Sequence, residues 1–459
     1  MNIEEILAKP FADALPLLTV DVGDKETKIE QNRKAYEGDH EILSDVNRRP
    51  RTIGTSDTQR VVKYTSETIP YQSLIVNSAV TFLFGNPASL MLTEGDEEAF
   101  KTLKAAWKQN KLDFFNKTLA RTLFVECKVA EYWFIPPTDP TRLRVALWSN
   151  KTGNRFYPHF DEYGDMDAFT VLYEAVDAEN KKEEHADVLT ATKTVKGVKK
   201  NSVWSTVVLA NPIGKIPIVY YEQDAPEWEG VKTQINREEY LISNFGDAND
   251  YFGSPLLQLK GTISELPRKE DVGKVIEVAS VTDTEGRVSY PGGAEFITWD
   301  RAPEAIQMEH NMLKDLIYGM TQTPDLSFSN VKGMAAVSGI ALRLMFSDAL
   351  FKARDKQEIF GPGLDRRLSI MTAMLGELNR GKKAAFDELD VDVVFNDVLP
   401  QDIEMLIKSL TLARGGEPIM SEASAVRTNP LVQDAEKEIA ALAGEKESAA
   451  LKPLGESFE

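Results

Sequence analysis

Thr321-Gln322-Thr323-Pro324-Asp325-Leu326-Ser327-Phe328-Ser329-Asn330-Val331-Lys332 is the stretch on which the reading of this 459-residue chain turns. Pro324 cannot extend a helix and pushes the residue before it towards extended backbone, while the serines and Asn330 favour turns. The stretch reads as a loop between two helical segments. Before it, Met312, Leu313, Leu316, Ile317 and Met320 recur at helical spacing and form one stripe of a helix over 302–322. After it, residues 335–380 are helical in pattern and apolar almost all round from Ile340 to Phe351, which predicts burial on several sides. Within that run Gly361-Pro362-Gly363 predicts a kink or a break. Pro362 lacks an N–H and its ring meets the carbonyl four residues back, at about 3 kcal/mol in a straight helix.

Further out, residues 265–301 change period. Runs at 275–281, 288–290 and 296–299, around the turn Thr284-Glu285-Gly286, read as short strands. Ahead of them Val231, Ile235, Ile242, Phe245 and Phe252 fall within one arc of about 100° on a helix over 228–260. A small β insert between two amphipathic helices places the helices side by side, with the insert at their shared tip. Residues 131–135, 142–148, 168–176, 187–195 and 203–209 read as antiparallel strands separated by turn clusters. Residues 96–128 read as helix, with Phe100, Leu103, Ala106 and Trp107 on one face. A dense apolar helix from Tyr71 is stopped by Gly85-Asn86-Pro87. The front of the chain is polar, with short helical patterns at 3–7 and 33–43. A strand at 391–395 leads into an Ala- and Glu-rich helical C-terminus. The class is α+β.

Composition excludes several roles. Lys plus Arg is 53 against 72 Asp plus Glu, a net charge of −19, which opposes a nucleic-acid gripper with a basic face. At 42% hydrophobic residues, global disorder is ruled out. Cys127 is the one cysteine, so neither a disulfide framework nor a Cys-cluster zinc site is possible. The best apolar run, 78–83, is far too short to span a membrane, and the acidic start Met1-Asn2-Ile3-Glu4-Glu5 shows no secretory signal. The expectation is a soluble, intracellular chain of several parts.

Chemistry-bearing motifs are sparse. His40, His159, His185 and His310 lack a second His at metal spacing; the fourth residue after His40 is Ser44. Gly376-Glu377-Leu378-Asn379-Arg380-Gly381-Lys382-Lys383 matches a phosphate loop only as far as the lysine. Lys383 then stands where a Mg²⁺-binding hydroxyl is needed, and a helix precedes it rather than a strand. Gly381 reads instead as a helix C-cap, with Lys382 and Lys383 facing the negative helix end. No catalytic, metal or cofactor site is expected, which favours an assembly role over an enzyme.

The order of these parts resembles the portal proteins of long-tailed bacteriophages. Arg33-Lys34-Ala35-Tyr36-Glu37-Gly38-Asp39-His40 is similar to the family's Tyr-x-Gly-x-His segment, and residues 76–87 to its buried helix ending in Gly-x-Pro. Residues 211–220 resemble the Gly-x-x-Pro strand that closes the wing. The most specific likeness is Thr323-Pro324-Asp325-Leu326 followed by Val337-Ser338-Gly339-Ile340-Ala341-Leu342. Glu422 onward, with Asn429-Pro430 and Asp434-Ala435-Glu436-Lys437-Glu438, resembles the crown. Gly361-Pro362-Gly363 departs from the family as a harsher break than its long helix usually carries.

The resemblance implies a portal-like fold. Its parts would be an N-terminal helical part of the wing (1–95), an α/β wing (96–226) and a first stem helix (227–264). A β-containing clip (265–301), a second stem helix (302–322) and a tunnel loop (323–336) follow. The long kinked wing helix (337–385), then a strand and helical crown (386–459), complete it. It implies a ring, usually of twelve subunits, at one capsid vertex of the virion, assembled in the host cytoplasm. The implied partners are the terminase large subunit, a head-completion or adaptor protein, major capsid and scaffolding proteins, and double-stranded DNA passing without sequence specificity. No cofactor and no membrane are implied. Within that picture Asp325, Ser327, Ser329, Asn330, Lys332 and Gly333 belong to the loop facing DNA in the channel; an ordinary surface turn is the other reading. The alternative function is another phage head or tail assembly protein without a DNA channel, and a third is an enzyme with an unfamiliar site.

Overall fold

The structure, a computed structural model, describes residues 2–20, 25–53, 60–176, 180–252, 256–260, 262–265, 277–282, 288–290, 293–297, 303–326, 343–398, 403–415, 419–429, 431–432 and 435–450. The chain divides into two compact units, one of Met1–Asp325 with Asp348–Asp397, the other of Leu326–Ser347 with Val398–Glu459. Both helices and sheets contribute to the first, so the fold is mixed α+β.

In the first unit the helix Tyr71–Phe84 begins after Pro70 and ends before Gly85, with Ile75, Val76, Val80, Leu83 and Phe84 buried. Leu74, Asn77 and Thr81 form a narrow exposed stripe, and the apolar residues on the other sides sit inside. Around it pack the helix Leu112–Glu126, the strand Lys128–Phe134 and the helix Ser347–Leu378. The single helix expected over 96–128 is two, Glu97–Gln109 and Leu112–Glu126, because Lys111 takes a left-handed conformation at φ 52°.

The β part is a five-stranded antiparallel meander. Its spatial order is Val203–Ala210, Lys193–Lys200, Lys182–Thr190, Met166–Val176, Arg155–Phe160. Both of its faces are covered except along the exposed edge strand Val203–Ala210. Phe156, Phe169, Val171 and Leu189 meet Ala130 and Ile218 of a three-stranded sheet, while Ala168, Val188 and Val195 pack under the helices Ile3–Leu7 and Phe11–Leu18. The run 187–195, expected as one strand, holds a hairpin turn at Ala191-Thr192, where no Gly, Pro, Asn or Asp signals it. Strand Ser89–Glu94 pairs with Asp390–Val394, joining the two ends of this unit.

The break expected at Gly361-Pro362-Gly363 is absent: one helix, Ser347–Leu378, runs through it. Phe360 and Leu364, on either side, are fully buried. At about 1.5–3 kcal/mol each, their burial offsets the helix cost of Pro362. Gly363 is not a hinge, because it is the close-approach point for the Tyr221 ring. The helical conformation is interrupted earlier, by a turn at Phe346 after residues 343–345.

The second unit is helical where described: Ile403–Arg414, Glu422–Thr428 and Ala435–Ala450. Ser421 caps the middle helix, and Glu422 takes both Arg414 (3.3 Å) and Lys446 as ion-pair partners. This is the Ala- and Glu-rich helical C-terminus expected from sequence.

Candidate functional site

The helices Lys232–Phe252 and Pro303–Met320 pack against each other. The helix expected over 228–260 ends at Phe252, ahead of the helix-opposing sequence Gly253-Ser254-Pro255, and Leu256–Lys260 is a strand paired with Gly293–Ile297. Arg237 binds Glu309 at 2.7 Å, and His310 binds Glu238, whose side chain is fully buried. The expected stripe on the second helix divides in two. Leu313 and Ile317 are buried, whereas Met308, Met312, Leu316 and Met320 are 73%, 54%, 40% and 58% exposed. Spaced by four residues, these four make a ladder covering about 120° of helix circumference. On the first helix Val231 and Ile235 are buried and Phe245 is exposed.

Two arms of the N-terminal region lie along Lys232–Phe252. The first runs parallel to it: Glu41 accepts from Asn236 (2.8 Å), Asp45 from the Tyr240 hydroxyl (2.9 Å), and Arg48 donates to Asn244 (2.6 Å) and Asp247 (2.5 Å). The chain then turns through the short pair Arg51–Ile53 and Arg60–Val62 and returns. On the return, the backbone N–H groups of Thr65, Glu67 and Ile69 donate to Asp247 (2.5 Å), Ser243 (2.9 Å) and Glu239 (2.9 Å). Two residues of extended chain span about 6.6 Å and four residues of helix about 6.0 Å, so alternate amides fall on every fourth helical side chain. Glu239 closes the base of this clasp by taking His40 as well as Ile69.

Where the second helix ends, Thr321 and Thr323 are buried and bond to each other at 3.0 Å, and Gln322 takes φ 53°. Lys352 of the long helix donates to the Thr321 carbonyl (3.0 Å) and pairs with Glu227 (2.9 Å), which also pairs with Lys356 (2.5 Å). Burial alone would raise the Glu227 carboxyl, but the two lysines outweigh it and hold the group below its ordinary range. One carboxylate and one lysine thus tie together the start of the first paired helix, the end of the second and the long helix. Sequence reading missed this tie because its members are 125 residues apart and match no motif.

Of the sequence-expected loop residues, Asp325 is bound by Lys314 at 2.6 Å, a bond that raises the Lys314 ammonium above its usual range. Ser327, Ser329, Asn330, Lys332 and Gly333 lie outside the described residues. Among the described residues no cluster of His, Cys, Asp and Glu is placed to hold a metal. No helix is long and apolar enough to cross a membrane, as searched over the described residues. The phosphate-loop lookalike is a helix end followed by the 3₁₀ turn Arg380–Lys382, with Lys382 on Glu98 and Lys383 on Glu377, each at 2.5 Å. Gly381 lies within that turn, not as a left-handed helix cap.

The family described as "Phage portal protein, SPP1 Gp6-like" matches residues 24–452. The chain belongs to the phage portal protein family. Portal proteins are structural components of the virion. No curated protein matches the chain. Among solved structures, a chain of "Virion of native gene transfer agent (GTA) particle" is similar with a TM-score of 0.35 and 8% identity, over 81% of this chain and 88% of that chain.

Proposed function

We propose that the chain assembles through its paired helices into a closed ring, usually of twelve subunits, whose central channel carries double-stranded DNA into and out of the capsid. The observation that carries this is the Met308–Met312–Leu316–Met320 ladder, an apolar helix face that is exposed among the described residues. Such a face is explained by a neighbour that covers it. Twelve copies would place roughly −230 of formal charge around the channel, and like-charged walls let a polyanion slide rather than stick.

In this reading residues 227–264 and 302–322 are the stem, 265–301 the clip, 1–226 with 337–385 the wing, and 386–459 the strand and crown. The clip docks the terminase large subunit and later a head-completion protein, while capsid and scaffolding proteins surround the ring at one vertex. The 323–336 loop touches DNA through Ser327, Ser329, Asn330 and Lys332, which can contact phosphates without reading bases. Asp325, held by Lys314, anchors its start. The chain itself hydrolyses nothing, so purified protein should show no ATP turnover that Lys382→Ala abolishes.

The deciding experiment compares wild type with Met312→Glu/Leu316→Glu by native mass spectrometry and negative-stain imaging. Rings with a central hole in wild type, and folded monomers in the variant, are expected. Unchanged rings in the variant would remove the ladder from the interface. A wild type that stays monomeric at every concentration and salt would remove the ring.

A further inference from the structure

Glu238 and Glu239 are consecutive, fully buried carboxylates on the helix Lys232–Phe252, projecting about 100° apart. Each has a histidine partner from a different element: His310 from the neighbouring helix, His40 from the foot of the clasp. Each also keeps one oxygen, Oε2, buried without a hydrogen-bond partner. A neutral imidazole can donate from Nδ1 to such a carboxylate unless Nε2 already carries the hydrogen, in which case the pair needs one further proton.

The geometry at His40 fixes where that proton must be. Its Nε2 lies 2.9 Å from the Ala35 carbonyl, which can only accept, so Nε2 carries a hydrogen. Its Nδ1 faces Glu239 Oε1, the same oxygen that accepts from the Ile69 amide. A proton between Nδ1 and Oε1 makes this an attractive contact. Once that proton is lost, the Nδ1 lone pair and a carboxylate lone pair face each other in a buried site. The ring cannot relieve this by changing tautomer without giving up Ala35.

We propose that the clasp is a proton-controlled latch: the pair His40–Glu239 holds the arms 40–48 and 65–69 on the helix when protonated and releases them as pH rises. The other charges facing the pairs do not replace the proton. Asp39, beside His40, is negative. Glu41 is engaged with Asn236 and Lys232, and Glu309 with Arg237. Arg48 is committed to Asp247 at the far end, and Tyr71, which faces Glu238, is a neutral phenol raised further by burial. The directions agree. The hydrogen bond to Glu239 raises His40 above its ordinary value, and burial raises Glu238. A raised folded-state value means stability present below the unfolded value and lost as pH climbs through the folded one, for both groups. The latch holds whether or not the chain forms a ring.

Hydrogen exchange on the full-length protein between pH 6 and pH 9.5 tests this, with each rate corrected for intrinsic base catalysis. The Thr65, Glu67 and Ile69 amides of wild type should lose protection by about tenfold or more. His40→Gln removes the titrating ring and offers Glu239 Oε1 a side-chain N–H that needs no added proton, while Glu239 remains the acceptor for Ile69, so its profile should be flat. A flat wild-type profile, or the same fall in His40→Gln, would overturn the proposal. If that variant does not fold, the carbon-13 titration of the His40 ring in wild type decides. It must coincide with the loss of protection, and a separation of the two transitions would also overturn the latch.

Discussion

Gly363 lies under the ring of Tyr221, so close that a Cβ on it would come within 2.1 Å of Cε1 and 2.6 Å of Cζ. The ring cannot swing aside cheaply, since its hydroxyl donates to the buried Glu131 at 2.7 Å. Gly363→Ala should therefore destabilise by about 1–3 kcal/mol, the cost of overpacking. Two residues away Gly361 faces open space, and Gly361→Ala should be neutral or stabilising by up to about 1 kcal/mol. Urea unfolding of both variants checks the contrast, and equal midpoints would show that the Tyr221 contact does not limit the side chain at 363.

Arg367 and Glu131 are both fully buried, 2.6 Å apart, and satisfied by Asn116, Trp133 and Tyr221. Arg367→Met would leave the carboxylate without a counter-charge and should cost about 3–5 kcal/mol. Arg367→Met/Glu131→Leu should recover much of that loss. A double variant as unstable as the sum of its singles would show that the pair is not coupled.

The Glu227 carboxyl is the acid-sensitive tie. Its folded-state value is depressed by Lys352 and Lys356 against burial, so its contribution is present above the unfolded value of 4.5 and lost as pH falls below it. At pH 7 Glu227→Gln should cost about 3–5 kcal/mol, because two lysines lose their partner in a buried setting. Below pH 4.5 the gap between wild type and variant should close. Unfolding midpoints at pH 7, 5 and 3.5 measure it, and a constant gap would contradict the assignment.

Cys127 caps the helix Leu112–Glu126 in a left-handed conformation, and burial pushes its thiol up to about 12. With so little thiolate, the native protein should resist alkylation at pH 8 and react on unfolding. Mass spectrometry after timed labelling reads this directly, and rapid native labelling would show the site open.

Where a single physical signal ruled an element, it was legible in the sequence. The apolar density of 71–84 followed by Gly85-Asn86-Pro87 marked the central helix, and strand residues 144–148, 168–176 and 203–209 were visible as β-branched and aromatic runs. Turns made without turn residues were not, as at Ala191-Thr192 and Lys111. At Pro362 the helix is not broken, because tertiary burial, invisible along the chain, outweighed a local cost. The clasp escaped for the same reason. His40 was legible as one of four scattered histidines and as the end of the Tyr36-Glu37-Gly38-Asp39-His40 segment, but its part in the clasp depends on Glu239, 199 residues later.

The pairing of Glu131 with Arg367 also sets a clock. These residues are 236 positions apart, and the strand Ser89–Glu94 likewise waits for Asp390–Val394. At 5–20 residues per second, roughly 10–50 s separate synthesis of the carboxylate from that of its guanidinium. During that interval the nascent chain holds a charge it cannot seal inside, while the sticky ladder from Met308 to Met320 has already been made. Ribosome-bound chains halted before residue 367 are expected to be protease-sensitive across the three-stranded and five-stranded sheets, and chains released after 394 resistant. Self-association would then be gated by translation: a subunit becomes fit to meet its neighbours only when almost all of it exists.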